Sequence, residues 1–120
     1  MATKKKQPER ELQSAAFYYF RMQYPNYSML FFHIPNGGHR NVIEAKNLQR
    51  AGVVAGVADT FLAVPNKHYP GSFIEFKAPK GKMSENQMNF QSAVVTTGYD
   101  YKIIQSIDEF MNYINEYLKR

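Results

Sequence analysis

Proline and glycine cut this chain into pieces too short for anything but a small layered fold. Breaks fall at Pro25-Asn26, Pro35-Asn36-Gly37-Gly38, Gly52, Gly56, Pro65 to Gly71, Pro79-Lys80-Gly81 and Gly98, and between them the apolar spacing switches between two periods. From Pro8 to Tyr24, Leu12, Ala15, Ala16, Tyr19 and Phe20 recur at three- and four-residue intervals, the stripe of an amphipathic helix. Ser28 to Ile34 is a short aromatic and apolar run suited to a buried strand. Asn41 to Arg50 suits a second, short helix closed by Gly52 as a left-handed cap. Asp59 to Val64 and Ser72 to Ala78 read as strands joined by a hairpin-like connection, hence antiparallel neighbours. Ser84 and Gln87 have the spacing of a capping box and open a helix that runs to Gly98. Tyr101 to Gln105 reads as a strand, and Ser106 with Glu109 repeats the capping-box spacing before a closing helix. The order α-β-α-β-β-α-β-α predicts one α/β domain, a mixed central sheet flanked by helices.

At 120 residues there is room for one domain. Residues 1–7, with Lys4, Lys5 and Lys6, are read as a basic flexible tail, and 8–120 as the domain. The absence of cysteine excludes disulfide scaffolds, thiolate metal sites and cysteine nucleophiles, so any metal must bind oxygen or histidine. Apolar stretches reach only five to eight residues, far below the roughly 20 of a membrane span, and the first residues lack a signal-peptide core. A cytoplasmic protein is the expectation. The net charge of +5 is compatible with a polyanionic partner without identifying one. No P-loop, dinucleotide fingerprint, nucleophile elbow or zinc spacing is present.

The chemistry concentrates on two strands. Alternation puts Ile74 and Phe76 on one face of Ser72 to Ala78 and Glu75 and Lys77 on the other, about 7 Å apart. Asp59 begins the preceding strand, and hairpin pairing would bring its carboxylate beside Glu75. Like charges so close are tolerable when a hard divalent cation such as magnesium or manganese lies between them. Such an ion polarises a phosphodiester and lowers the pKa of bound water, while a lysine stabilises developing charge or orients the water. Taken alone, however, Glu-x-Lys is an ordinary pattern of a solvated sheet face.

The surrounding residues narrow the reading. LFFHIPNGGHRN at 30–41, AGVVAGVADTFL at 51–62, IEFKAPKGKMSENQ at 74–87 and TGYDYKII at 97–104, followed by a closing helix, resemble the VRR-NUC family, the virus-type replication-repair nucleases of the PD-(D/E)xK superfamily. The resemblance spans about 110 of the 120 residues, in order. It implies a restriction-endonuclease-like fold and divalent-metal-dependent cleavage of DNA. It makes Asp59 and Glu75 metal-binding acids, Lys77 the catalytic lysine, Gln87 a glutamine of the site, and the backbone carbonyl of Phe76 a further metal ligand. It also implies a metal-binding glutamate in the first helix, for which Glu9 and Glu11 compete. On a helical wheel with Leu12 at zero, Glu9 falls near about +60° and Glu11 near about −100°, so Glu9 lies closer to the buried stripe. Glu9 also stands four residues before Gln13, a spacing similar to the family's opening Glu-x-x-x-Gln. Ala58 departs from the proline often found before the aspartate, which leaves the carboxylate untouched and bears only on local backbone shape.

The remaining candidates are open. His33 is either a packed histidine satisfied by a backbone partner or a residue facing the acids and contacting substrate. Asn36 and Arg40, in a glycine-rich segment, and Lys80 and Lys82, after the Glu-x-Lys strand, are candidate phosphate contacts or solvated loop residues. Tyr18, Tyr19, Phe31, Phe32, Tyr99 and Tyr101 are read as core or interface rather than base-stacking platforms. The resemblance implies a structure-selective endonuclease of the Holliday-junction-resolvase kind, of bacterial or phage type, acting in replication, repair or recombination as a homodimer or tetramer. The alternative is a catalytically silent nucleic-acid-binding or assembly module of the same fold, and the intact Asp59, Glu75 and Lys77 favour the enzyme.

Overall fold

The computed structural model describes residues 2–35 and 41–119, with side chains from residue 8 onward. Helix α1 (Ala2–Gln23) leads through a 3-10 turn at Pro25–Leu30 into strand β1 (Phe31–His33). Helix α2 (Val42–Arg50), strands β2 (Thr60–Leu62) and β3 (Ser72–Phe76), helix α3 (Glu85–Thr97), strand β4 (Asp100–Ile104) and helix α4 (Ile107–Tyr117) follow. The sheet order is β1-β2-β3-β4, the first two pairings antiparallel and the last parallel. This is the mixed sheet and the element order that the residue pattern predicts.

Several boundaries differ from the sequence reading: α1 begins at Ala2 rather than Pro8, and the first strand is the most changed. Pro25 occupies the first turn of the 3-10 segment, where its fixed φ suits the geometry, so the run expected to be strand from Ser28 extends only from Phe31. The strand is also at the sheet edge: Phe31 is buried, while Phe32 and His33 are exposed. Pairing nevertheless continues at both ends, with Ile34 N–H donating to the Asp59 carbonyl at 2.7 Å and Ala63 N–H to the Leu30 carbonyl at 2.7 Å.

One face of the sheet packs on α1 and α4. Phe31, Leu62, Ile74, Phe76 and Ile104 meet Ala16, Phe20, Phe110 and Ile114 there, and Phe31 stacks on Phe17 at 4.2 Å between centroids. Ala15, read as part of the α1 stripe, is exposed. The opposite face carries Phe61, Phe73 and Tyr99, whose rings lie 4.5 to 6.0 Å apart, with Phe90 of α3 set edge-on over Phe73. Of the aromatics read as core, Phe31 and Tyr101 are buried and Tyr18 and Phe32 are exposed.

Helix caps follow the sequence closely. Asn41 accepts from Glu44 N–H, and Ser84 with Gln87 forms a full capping box. At α4 the box slips by one residue: Ser106 Oγ accepts from Glu109 N–H, and the Glu109 carboxylate accepts from Gln105 N–H at 2.6 Å. At the far end of β3 and β4, Tyr113 of α4 donates to Asp100 and also bonds Ser72, tying the helix to both strands.

Candidate active site

The β2–β3 register sets the site. Thr60 pairs with Ile74, so Asp59 arrives opposite Glu75, and the two residues clasp one another through the backbone. Asp59 N–H donates to Glu75 Oε1 at 3.1 Å, and Asp59 Oδ2 accepts from Phe76 N–H at 2.8 Å. Behind them Thr60 Oγ1 donates to the Ile74 carbonyl at 2.8 Å in a buried contact. Ala58, next to Asp59, is fully buried, so a small side chain fits that position.

The face carrying Glu75 and Lys77 is charged, as alternation predicts, but it is not a solvated face: Glu75 is 2% exposed and Lys77 8%. Burial of charge at this level requires partners, and a closed set of three side chains supplies them. Lys77 Nζ lies 3.3 Å from Glu75 Oε2 and donates to Gln87 Oε1 at 2.9 Å, while Gln87 Nε2 donates to Glu75 Oε2 at 2.8 Å. The same Gln87 Oε1 accepts from Ser84 N–H at 2.8 Å. One amide therefore caps α3 and holds the acid–lysine pair.

Electrostatics at the acids is unbalanced. Burial first, and then the charge of Asp59, push the Glu75 carboxyl up to about 7. Burial likewise raises Asp59, and the Glu9 charge adds to it, against the Phe76 hydrogen bond and the Lys77 charge. One lysine does not neutralise two adjoining carboxylates, one buried and one half-buried. Tyr101, buried on β4 with its hydroxyl unpartnered among the described residues, is raised by burial and then by the Glu75 and Asp59 charges.

These groups line a cavity of about 530 Å³. From α1 it receives Glu9, Arg10 and Gln13, and from β1 His33. Glu9 Oε2 accepts from Ala78 N–H at 3.3 Å, whereas Glu11 is exposed and outside the cavity, so Glu9 is the first-helix acid brought to the site. His33 combines its two readings, because it is bonded to backbone and also lines the cavity. Nδ1 lies 2.7 Å from the Asp59 carbonyl, which can only accept, so Nδ1 donates to it. Gln13 Nε2 lies 3.2 Å from the same Nδ1. Lys80 and Lys82 are exposed on the connection after β3 and do not line the cavity. Asn36 and Arg40 lie outside the described residues.

Arg10, Ser84, Asn86 and Gly56 also line the cavity, and their part in it is missing from the sequence reading. Gly56 carries the one detectable signal. Its φ is +88°, and a Cβ there would stand 2.3 Å from the Asn86 carbonyl oxygen, so only glycine lets the segment before Asp59 lie against the first turn of α3.

Among the described residues, no three histidine or acidic side chains converge closely enough to hold an ion by themselves. The donors still suit a hard divalent cation. Carboxylate oxygens of two adjoining acids, a neighbouring backbone carbonyl and a third acid lining the same cavity are the ligand type such ions take, with water completing the shell.

A four-stranded mixed sheet with an acid on one strand and an acid–x–lysine on the next, clasped by a helix-capping glutamine, defines an α/β domain of nuclease-like fold. Comparison with known proteins agrees. The model of the VRR-NUC domain matches residues 6–108, and the chain belongs to the VRR-NUC family. A solved structure described as a VRR-NUC domain protein is similar over 92% of this chain and 88% of its own, with 23% identity and a TM-score of 0.80, which speaks for the fold. No curated protein matches. Family membership implies a nuclease-type function with DNA as substrate. No helix among the described residues is long and apolar enough to cross a membrane.

Proposed function

We propose that this protein is a divalent-metal-dependent DNA endonuclease that selects branched DNA, of the Holliday-junction-resolvase kind, and acts as a homodimer in replication, repair or recombination. The observation that carries the reading is the meeting of a half-buried Asp59 with the buried Glu75 and Lys77 at the ends of adjoining strands. A structural ion pair needs one acid. A second one held against it, at the wall of an open cavity, is costly for folding and useful for binding a cation.

Asp59, Glu75, the Phe76 carbonyl and Glu9 would hold magnesium or manganese, which when bound polarises the scissile phosphodiester and makes hydroxide available near neutral pH. The protein's own groups do the rest. Lys77, 3.3 Å from Glu75, would place a positive charge where negative charge develops on the phosphate. Gln87 fixes where that ammonium sits by accepting from it while donating to Glu75. His33 lines the cavity and, through Nδ1, steadies the backbone of Asp59.

The test is cleavage of labelled four-way junction, flap, duplex and single-stranded DNA with magnesium, with manganese and with chelator. Cutting that needs the ion and prefers the junction is the expected result. Absence of cutting on every substrate, with DNA still bound, would replace the enzyme by a silent binding module.

A further inference from the structure

Before a cation is bound, the cavity has a charge problem as a receptor for DNA. Its walls carry three carboxylates, Glu9, Asp59 and Glu75, and two cations, Arg10 and Lys77. Lys77 is already engaged, buried between Glu75 and Gln87. Arg10 is not: it is exposed, and it has no ion pair or hydrogen bond among the described residues. That is unusual for a guanidinium at the edge of three acids, and helical geometry explains it, since residues adjacent in sequence, such as Glu9 and Arg10, do not face each other. Asp59 and Glu75 are in turn occupied by Phe76 N–H, Asp59 N–H, Lys77 and Gln87.

We infer that Arg10 is a substrate-contacting residue whose guanidinium takes the non-bridging oxygens of a DNA backbone phosphate at the mouth of this cavity. The inference rests on the endonuclease reading and deepens it by naming the group that admits a polyanion to an acidic site. The planar fork of arginine matches the two oxygens of a phosphate, which a lysine meets only as a point charge. Its place on α1, one residue after Glu9 and three before Gln13, fixes the grip to the same helix that brings an acid to the cavity. Lys80 and Lys82, the sequence candidates for this task after the Glu-x-Lys strand, lie outside it.

The experiment is binding of a labelled short DNA duplex by anisotropy, in chelator and over a series of salt concentrations, for the wild type, Arg10→Ala, Arg10→Lys and, as a control for net charge, Lys67→Ala in the β2–β3 connection. Cleavage with magnesium is followed in parallel. Arg10→Ala is expected to weaken binding about tenfold and to lower the slope of log affinity against log salt by about 0.9, the loss of one phosphate contact. Arg10→Lys should keep most of the slope while losing part of the affinity. In cleavage KM should rise more than kcat falls. Unchanged affinity and slope in Arg10→Ala, or an equal loss in Lys67→Ala, would overturn the inference. A wild type that binds with the Arg10 dependence but never cuts would support the phosphate contact and sink the endonuclease reading. A wild type that does not bind DNA would sink both.

Discussion

Glu75 is the residue on which the site's energetics turn. Its pKa in the fold, about 7, lies above its ordinary value of 4.5, so the folded chain holds that proton more tightly than the unfolded one. The corresponding stability is fully present below pH 4.5 and is lost as pH rises through 7. For the metal-free protein this is on the order of 3 kcal/mol, most of it read as a fall in urea midpoint between pH 5 and 8. Magnesium should flatten the fall by favouring the ionised carboxylate, and Glu75→Gln should remove most of it. An equal pH dependence in that variant would mean that other groups set it. Tyr101 gives a prediction of opposite character. Its buried hydroxyl has no partner among the described residues, so Tyr101→Phe should leave stability unchanged or raise it by about 1 kcal/mol in thermal melts. A drop of that size would show that the hydroxyl is well bonded.

At the scale of elements, α3 is where folding and chemistry share atoms. The Ser84 hydroxyl accepts from Gln87 N–H while Gln87 Oε1 accepts from both Ser84 N–H and Lys77. Ser84→Ala should therefore cost about 1 kcal/mol of stability and also lower kcat, whereas Ser84→Asp, itself a good cap, should recover both. A melting-temperature loss without a change in kcat would separate the cap from the site. Gly56→Ala should cost about 2 kcal/mol or more by calorimetry, from the positive φ and the contact with Asn86. Helix α2 is the counter-example. It has no buried residue, and Ile43 is 72% exposed, so Ile43→Ser should shift stability by less than about 0.5 kcal/mol. Elements such as α3 were legible because their signals are local: Ser84 and Gln87 announce a helix start from three residues apart. The strand expected from Ser28 was not, because apolar periodicity cannot distinguish a strand from a 3-10 turn that a preceding proline has set.

At the scale of the whole molecule, sequence distance is the limit. The sheet was legible from the alternation of periods, and the meeting of Asp59 with Glu75 followed from one hairpin. The arrival of Glu9 depends on how α1 crosses the end of β3, where it bonds Ala78 from 69 residues away. A helical wheel leans toward Glu9 over Glu11 but does not say that its neighbour Arg10 enters the same cavity. The closed set of Glu75, Lys77 and Gln87 likewise needs α3 docked over the sheet's aromatic face, through Phe90 on Phe73. Burial is the other property that periodicity misses, since alternation gave a charged face and the covering elements made it a dry one. Besides the acidic cavity the molecule has others, among them one of about 480 Å³ between the β2–β3 connection and α4, lined by Lys67, Tyr69 and Tyr117 among others. The most direct test of which one does the chemistry is single-turnover cleavage of four-way junction DNA in magnesium by the wild type and by Asp59→Asn, which keeps the shape and removes the charge. The account predicts a rate at least about a hundredfold lower in the variant, at an unchanged or higher melting temperature. Equal rates in the two proteins, or cutting by the wild type in chelator, would contradict it.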